Sequence, residues 1–544
     1  MKSIERWDVE DSEFWESEGK QIASRNLWIS IPNLLCGFAV WLYWGMIAKM
    51  IQKIHFGSGE ELFAFLDGSG VPITGDAYRN LLFTLPAVAG LAGATLRIPN
   101  SFMIAICGGR NVKFMTTILL IIPAVAAGIA LQNPDTPFFT YVMLAALSGV
   151  GGGAFASSMS NISFFYPKRM QGLALGLNAG LGNLGVSVMQ FLVPWSITFS
   201  MFGGMGGEPY VFGSGAAETS LWVQNAALVW VPVMAIFALA AFFGMNNLPQ
   251  HKCGPTPIAV GRYLWLTILG FGGAAVGIAL LLADWGGVPK LLKIFAVLAI
   301  TVLTTLAFMR FLTPNATKEN LKGQFGIFRN KHNWIMTYLY TMTFGSFIGY
   351  ANAFPKLIDD VFGVIRVDAM GNRLADAIPN PNAIHSAAYI FIGAGVGALI
   401  RPVGGWLSDK LGGARVTQWD TVLMILSTIG AGYYVALANN SPTPEDYFYP
   451  FLFLFILLFA TTGIGNGSTF RMIPMIFSKE QAGPVLGWTS AIAAYGAYLI
   501  PKIFGQQIEN GTPQYALYGF SVYYASCLGL CWYFYARKNA EIPC

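Results

Sequence analysis

Apolar runs long enough to cross a bilayer follow one another along almost the whole chain. About fourteen stretches of the roughly 20 mostly apolar residues that a membrane-spanning helix needs are centred near Leu42, Val88, Leu120, Leu144, Val186, Pro232, Gly273, Leu298, Thr343, Gly395, Ile425, Leu457, Ala494 and Cys527. Hydrocarbon offers the backbone no water to bond, so such runs must form helices that satisfy their own peptide groups. Charged residues are 11% of the 544, against about 25% in an ordinary soluble domain. Little is left for a soluble domain, and an all-α membrane protein is expected.

The net charge of +5 does not indicate nucleic-acid binding, because most Lys and Arg outside the spans fall in alternate loops. Arg110 and Lys113, Lys168 and Arg169, Lys318 to Lys331, Lys410 and Arg415, and Arg537 and Lys538 lie on one side. The loops around Asp135, Glu208 and Glu445 carry almost none, with Lys49, Lys53, Arg79, Lys356, Arg366 and Arg373 as exceptions. The positive-inside pattern then predicts an even number of spans in the cell inner membrane, with both termini cytoplasmic. The first 25 residues are charged and lead into a full-length span, unlike a cleavable signal peptide. The cysteines show no metal-ligand spacing, and His55, His251, His332 and His385 fall at span ends or in loops. No phosphate loop or nucleophile–base pair appears, so neither a cofactor nor an enzymatic activity is expected.

Two arginines interrupt the apolar pattern at matching places. Arg97 ends Gly93-Ala94-Thr95-Leu96-Arg97, and Arg401 ends Gly397-Ala398-Leu399-Ile400-Arg401. Each precedes a Gly-Gly pair, Gly108-Gly109 and Gly412-Gly413. A cation in hydrocarbon costs about 2.5–3.5 kcal/mol by insertion scales, so a symmetric pair predicts a negatively charged ligand held between them. Structural pairing of the arginines with backbone carbonyls is the competing reading.

Other features recur in the same order: Trp28 with Trp334, Phe38 with Phe344, and Gly172, Gly176 and Gly185 with Gly483, Gly487 and Gly496. A parallel repeat of six spans per half, related by a pseudo-twofold along the membrane normal, is the architecture of the major facilitator superfamily, with substrate near the midplane. Residues 26–250 and 326–538 would be the halves. Residues 1–25 and 539–544 would be cytoplasmic ends, and 251–325 a linker carrying an inserted two-helix hairpin, which brings the total to about fourteen spans. A hairpin lying flat on the membrane is disfavoured by its length and uniform apolarity.

Gly404-Gly405-Trp406-Leu407-Ser408-Asp409-Lys410-Leu411-Gly412-Gly413-Ala414-Arg415 resembles the loop signature of that superfamily, with Asp409 expected at a helix N-terminus and paired with Arg415. The first-half copy is degraded at Ala105 and Ile106. Gly172, Gly176, Gly180, Gly182 and Gly185 line one helix and let a neighbour approach closely. Packing accounts for those glycines but not for Asn178 and Asn183 among them, since an amide in hydrocarbon needs a partner and can donate to an anion. Phe155, Phe344 and Tyr340 are expected to line the cavity, where rings could cover the faces of a planar anion. Arg471 and Lys502, near span ends, are expected to snorkel to the interface.

No Asp, Glu or His is expected well inside a core span. Two fixed positive charges without a titratable partner predict obligatory exchange of one monoanion for another.

These residues together resemble the nitrate/nitrite porters (NarK type) of the major facilitator superfamily. The specific pieces are Asp11 to Trp15 leading into Ile22 to Ser30, Leu96-Arg97-Ile98-Pro99, Phe155 to Met159 with Asn161 to Phe165, the glycine/asparagine helix, Thr343 to Gly349, and Gly467-Ser468-Thr469-Phe470. The resemblance implies that Arg97 and Arg401 clamp the anion, that Phe155 and Phe344 stack on it, that Tyr340 donates a hydroxyl, and that Asn183 faces the substrate. It matches a second signature at Gly487, Ser490 and Gly496, degraded at Ala493 and Ala497. The implied function is nitrate/nitrite antiport by a rocker-switch form of alternating access, by a monomer in the lipid bilayer. Nitrate–proton symport, a porter for another small anion, and a transport-inactive anion sensor are the alternatives.

Overall fold

The computed structural model describes residues 4–57, 62–212, 219–251, 253–384 and 386–544; His385 lies outside them. Helices dominate, and among the described residues the strands form two small antiparallel pairs, Tyr210–Phe212 with Thr219–Leu221 and Val364–Val367 with Arg373–Pro379. Eleven described helices are long and apolar enough to cross a membrane. The expected stretches around Thr343, Ala494 and Cys527 are helical but more polar, because Tyr, Thr, Asn and Ser recur along them. They form Lys331–Tyr340 continuing into Ser346–Phe362, Lys479–Ala494 continuing into Gly496–Glu509, and Gln514–Cys531.

The two Gly-Gly pairs act alike. Gly108 (φ 80°) ends the helix at Cys107, and Gly109 starts Gly109–Ala130. Gly412 (φ 92°) ends Arg401–Leu411, and Gly413 starts Gly413–Asn439. A left-handed residue lets one span fold straight back into the next, and only glycine does so without a Cβ penalty.

The hairpin consists of Thr256–Leu282 and Lys290–Phe311. Gly273 and Gly277 on the first helix receive Thr305 and Thr301 of the second, and Gly270 lies against Leu96 and Pro99 of the Arg97 helix. Its other side exposes Ile268, Phe295, Leu303 and Phe311, as a lipid-facing surface requires.

Both terminal segments are tied down. Residues 20–42 form one continuous helix, so the expected boundary after residue 25 falls inside it. Trp7 Nε1 donates to Phe164 O (2.9 Å), and Lys168 N donates to Glu10 Oε1 (3.0 Å). At the other end Glu541 pairs with Lys331 (2.7 Å), whose ammonium helps hold this carboxyl below its usual range, and Ala414 N donates to Cys544 O (2.9 Å).

Candidate functional site

Arg97 lies on Thr84–Asn100, fully buried. Close approach of two backbones sets its position: a Cβ on Gly152 would stand 2.6 Å from Gly93 Cα. This contact brings Arg97 Nε to Gly152 O, to which it donates at 2.8 Å, while Nη1 donates to Ser490 O at 3.1 Å. Nη2 has no partner among the described residues. The guanidinium carbon is 4.7 Å from the Phe155 ring centre and 4.8 Å from that of Phe344.

Arg401 opens Arg401–Leu411, with Pro402 next to it in the first turn, where a missing N–H costs nothing. It is equally buried, yet none of its three guanidinium nitrogens has a partner among the described residues. Its guanidinium carbon lies 5.1 Å from the Phe347 ring centre and 5.7 Å from that of Phe344. Phe344 therefore presents its ring to both cations, and the negative face of a ring attracts such a charge.

A stack of rings extends from this point. Phe155 and Phe344 stack at 5.1 Å, Tyr340 and Phe344 at 5.6 Å, and Tyr340 and Phe470 at 4.1 Å. Tyr340 precedes, and Phe344 lies within, a π-helical turn, Thr341–Gly345, a distortion frequent at functional sites. The Tyr340 hydroxyl and both amide atoms of Asn183 are buried without partners among the described residues. Sequence reasoning gave no role to Phe470, which stacks with Tyr340 and Phe155, or to Asn466, one turn before it, whose amide is also buried and has no partner among the described residues. The spacing of these two residues was the available signal.

Two expected residues are placed differently. Asn178 donates to Ser158 Oγ (3.0 Å), and that hydroxyl also meets Ser30 (2.8 Å), so this amide is engaged in packing. Ser490 meets Arg97 through its carbonyl, while its hydroxyl donates to Gly487 O (2.7 Å).

The glycines have two sets of neighbours. Gly172, Gly176 and Gly180 lie against Gly405, Pro402 and Ala398, the backbone around Arg401. Gly182 and Gly185 lie against Leu34 and Leu35. Gly487 faces Ser101, just past Arg97, and Gly496 faces Gly345. Each arginine helix is thus backed by a glycine-bearing helix from the opposite end of the chain.

Asp409 does cap a helix N-terminus, accepting from Gly172 N (3.2 Å) and Leu173 N (2.9 Å). Its ion-pair partner, however, is Arg471 and not Arg415, which is exposed. Arg471 accordingly does not snorkel: its side chain is 11% exposed and that of Asp409 is 12%. Lys113, expected in a loop, is buried in the second turn of Gly109–Ala130, and its Nζ has no partner among the described residues. The expectation of an acid-free core fails at Asp420, which is 3% exposed within Gly413–Asn439 with neither carboxylate oxygen partnered among the described residues.

The arrangement is suited to a small planar anion. A guanidinium is a planar fork of donors that can engage two oxygens at once. Ring faces behind the guanidinium hold its plane while leaving N–H groups on its edge free.

No family model matches this chain. It is 35% identical to the Thermus thermophilus protein named "Probable nitrate/nitrite antiporter NarK2", over 99% of this chain and 98% of that protein. It is also 35% identical to the "Nitrate/nitrite transporter NarU" of Salmonella typhimurium, over 98% of this chain and 96% of the other. Among solved structures it is similar to the proton:xylose symporter XylE of the major facilitator superfamily (TM-score 0.58, 14% identity, 94% of this chain and 96% of that one). It is also similar to the human organic anion transporter MFSD10 (TM-score 0.54, 13% identity, 94% and 99%).

Proposed function

This chain belongs to the nitrate/nitrite transporter family represented by NarK and NarU, as a multi-pass membrane protein of the major facilitator fold, and from that premise we propose that it exchanges nitrate for nitrite by alternating access. A planar monoanion is clamped between Arg97 and Arg401, with Phe155, Phe344 and Tyr340 around it and Asn183 as a further donor. Twelve core helices form two six-helix halves that rock about this site, with the hairpin outside them and fourteen spans in all. The monomer sits in the cell inner membrane with both termini cytoplasmic.

One observation carries this reading: the Arg401 guanidinium is buried against Phe344 with every nitrogen unpartnered among the described residues. Donors kept in that condition are strongly stabilised by an anion, and much less so by another packing arrangement. The test is labelled nitrate uptake into nitrite-loaded liposomes, wild type beside Arg97→Ala and Arg401→Ala. Exchange by the wild type and none by either variant is expected. Exchange by the variants at the wild-type rate would refute the clamp, and binding without flux in the wild type would favour a sensor. Asp420 favours a second reading, nitrate–proton symport, because it supplies a titratable group inside a core helix.

A further inference from the structure

Asp420 lies directly behind the π-turn that carries the anion site. A Cβ on Gly465 would stand 2.5 Å from Asp420 Oδ2 and 2.6 Å from Thr343 Cγ2, so the carboxyl and the threonine crowd the same bare backbone position. Thr343 precedes Phe344 in the turn, and Thr421, next to Asp420, contacts Met342 through its hydroxyl (3.7 Å to Sδ). Gly413–Asn439 thus meets the turn through Thr421, and Asp420 beside it shares with Thr343 the space over Gly465. At 1.5 Å per residue Asp420 is about 10 Å into its helix.

The helices packed around Asp420 carry Arg401, Asp409, Arg471, Tyr350, Tyr524, Cys527 and Cys531, and the turn after Cys531 carries Tyr535. None of them makes a hydrogen bond or ion pair with it. Asp409 and Arg471 neutralise each other. The carboxyl is thus a lone titratable group beside the element that shapes the site, and a lone ionisable residue in a membrane helix marks a proton or ion route by default.

We propose that Asp420 is a proton-binding site that allows nitrate to enter together with a proton, in addition to exchange. The inference rests on the arginine clamp proposed above. Arginine stays charged throughout. With Asp420 ionised, the empty clamp holds two cations and one carboxylate, leaving one positive charge. With Asp420 protonated and nitrate bound, it holds two cations, one nitrate and a neutral acid, again leaving one. The loaded and empty carriers therefore match in internal charge when proton and nitrate bind together, and the empty carrier can return without a counter-anion. Nitrite exchange keeps one anion bound in both directions and needs no change at Asp420. The crowded space over Gly465, which Asp420 and Thr343 share, is the place where its protonation would bias the turn.

The test uses the full chain in liposomes holding a trapped pH dye, wild type beside Asp420→Asn, which keeps shape and removes the charge. In vesicles without nitrite, an inward proton gradient is expected to drive labelled nitrate into wild-type vesicles with about one proton per nitrate, as the charge matching requires. Asp420→Asn is expected to lose at least tenfold of that uptake while its nitrate/nitrite counterflow stays within about twofold, which also shows that it folds. Proton-driven uptake retained by Asp420→Asn, absence of such uptake in the wild type, or uptake driven by a sodium gradient at uniform pH would each overturn the proposal and leave exchange standing. Absence of counterflow in the wild type would instead overturn the exchange reading.

Discussion

Phe155 and Phe344 stack with ring centres 5.1 Å apart and planes 15° from parallel, although they come from different halves of the sequence. Arg97 lies within 5 Å of both ring centres. The stack therefore joins two distant helices at the point where the first cation sits. The second cation reaches the same Phe344 ring from the other side of the sequence. A device that must open between these helices has to separate the rings and rearrange the environment of both guanidiniums together, which ties the state of the site to the state of the carrier.

Replacement by lysine tests geometry against charge. Arg97→Lys and Arg401→Lys keep one positive charge each but lose the planar fork. Losing one charge-assisted hydrogen bond costs about 1.5–3 kcal/mol, so nitrate/nitrite counterflow at low nitrate should fall about tenfold or more. Near-normal uptake by either lysine variant would mean that charge alone holds the anion.

The two arginines should also differ in stability. Arg97 donates to Gly152 O and Ser490 O, and its loss removes two hydrogen bonds from a charged donor, at about 1.5–3 kcal/mol each. Arg401 makes no hydrogen bond through its guanidinium among the described residues and is a buried charge faced only by rings there. In detergent without anion, Arg97→Ala should melt below the wild type, and Arg401→Ala should melt at or above it. A matching drop in both Tm values would refute this asymmetry.

The Asp409–Arg471 pair is the third target. Removing one member of a buried pair costs about 3–5 kcal/mol, because the other charge stays behind. Asp409→Asn also weakens the cap on Gly172 and Leu173. Arg471→Gln should therefore destabilise strongly, and Arg415→Gln, an exposed change, should stay within about 0.5 kcal/mol. Chemical or thermal unfolding of the two variants side by side decides which arginine is the partner.

The sequence made the backbone plan readable, because lipid admits few solutions: apolar length shows where helices run, and a Gly-Gly pair shows where one turns into the next. Arg97 and Arg401 were readable for the related reason that a cation in hydrocarbon is costly. Pairings across helices were not. Arg415 lies close to Asp409 in sequence, but the helix begun at Gly413 carries it outward, whereas Arg471 arrives from a distant helix. Asp420 and Lys113 looked interfacial because polar residues surround them in sequence, and only the packing shows that their side chains turn inward. Asn178 and Asn183 are five residues apart, about 140° around a helix, so one can serve packing while the other stays unpartnered.

The glycine stripe should tolerate no added methyl where it meets the Arg401 helix. A Cβ on Gly180 would stand 2.6 Å from Ala398 O, a backbone atom with little freedom to move. Overpacking of this kind costs about 1–3 kcal/mol, and the separation of helices it forces displaces Arg401. Gly180→Ala should lower both Tm and transport. Gly505→Ala, whose Cβ would meet nothing within 4 Å, should be neutral or gain up to about 1 kcal/mol from helix propensity. Equal effects at the two positions would show that close approach is not what the stripe provides.

Tyr340→Phe separates stability from function. The Tyr340 hydroxyl is buried without a partner among the described residues, beside rings that hold its plane through Phe344 and Phe470. Removing an unsatisfied hydroxyl leaves the ring stack intact and relieves a desolvation penalty, so the variant should melt at or above the wild-type temperature. If the hydroxyl instead donates to the bound anion, its loss forfeits about 0.5–1.5 kcal/mol of binding. The KM for nitrate should then rise by about two- to tenfold, with little change in the maximal rate if the bond is made equally throughout the cycle. Measured together, a raised KM and an undiminished Tm would assign the hydroxyl to the substrate. A lower Tm with an unchanged KM would assign it to the fold.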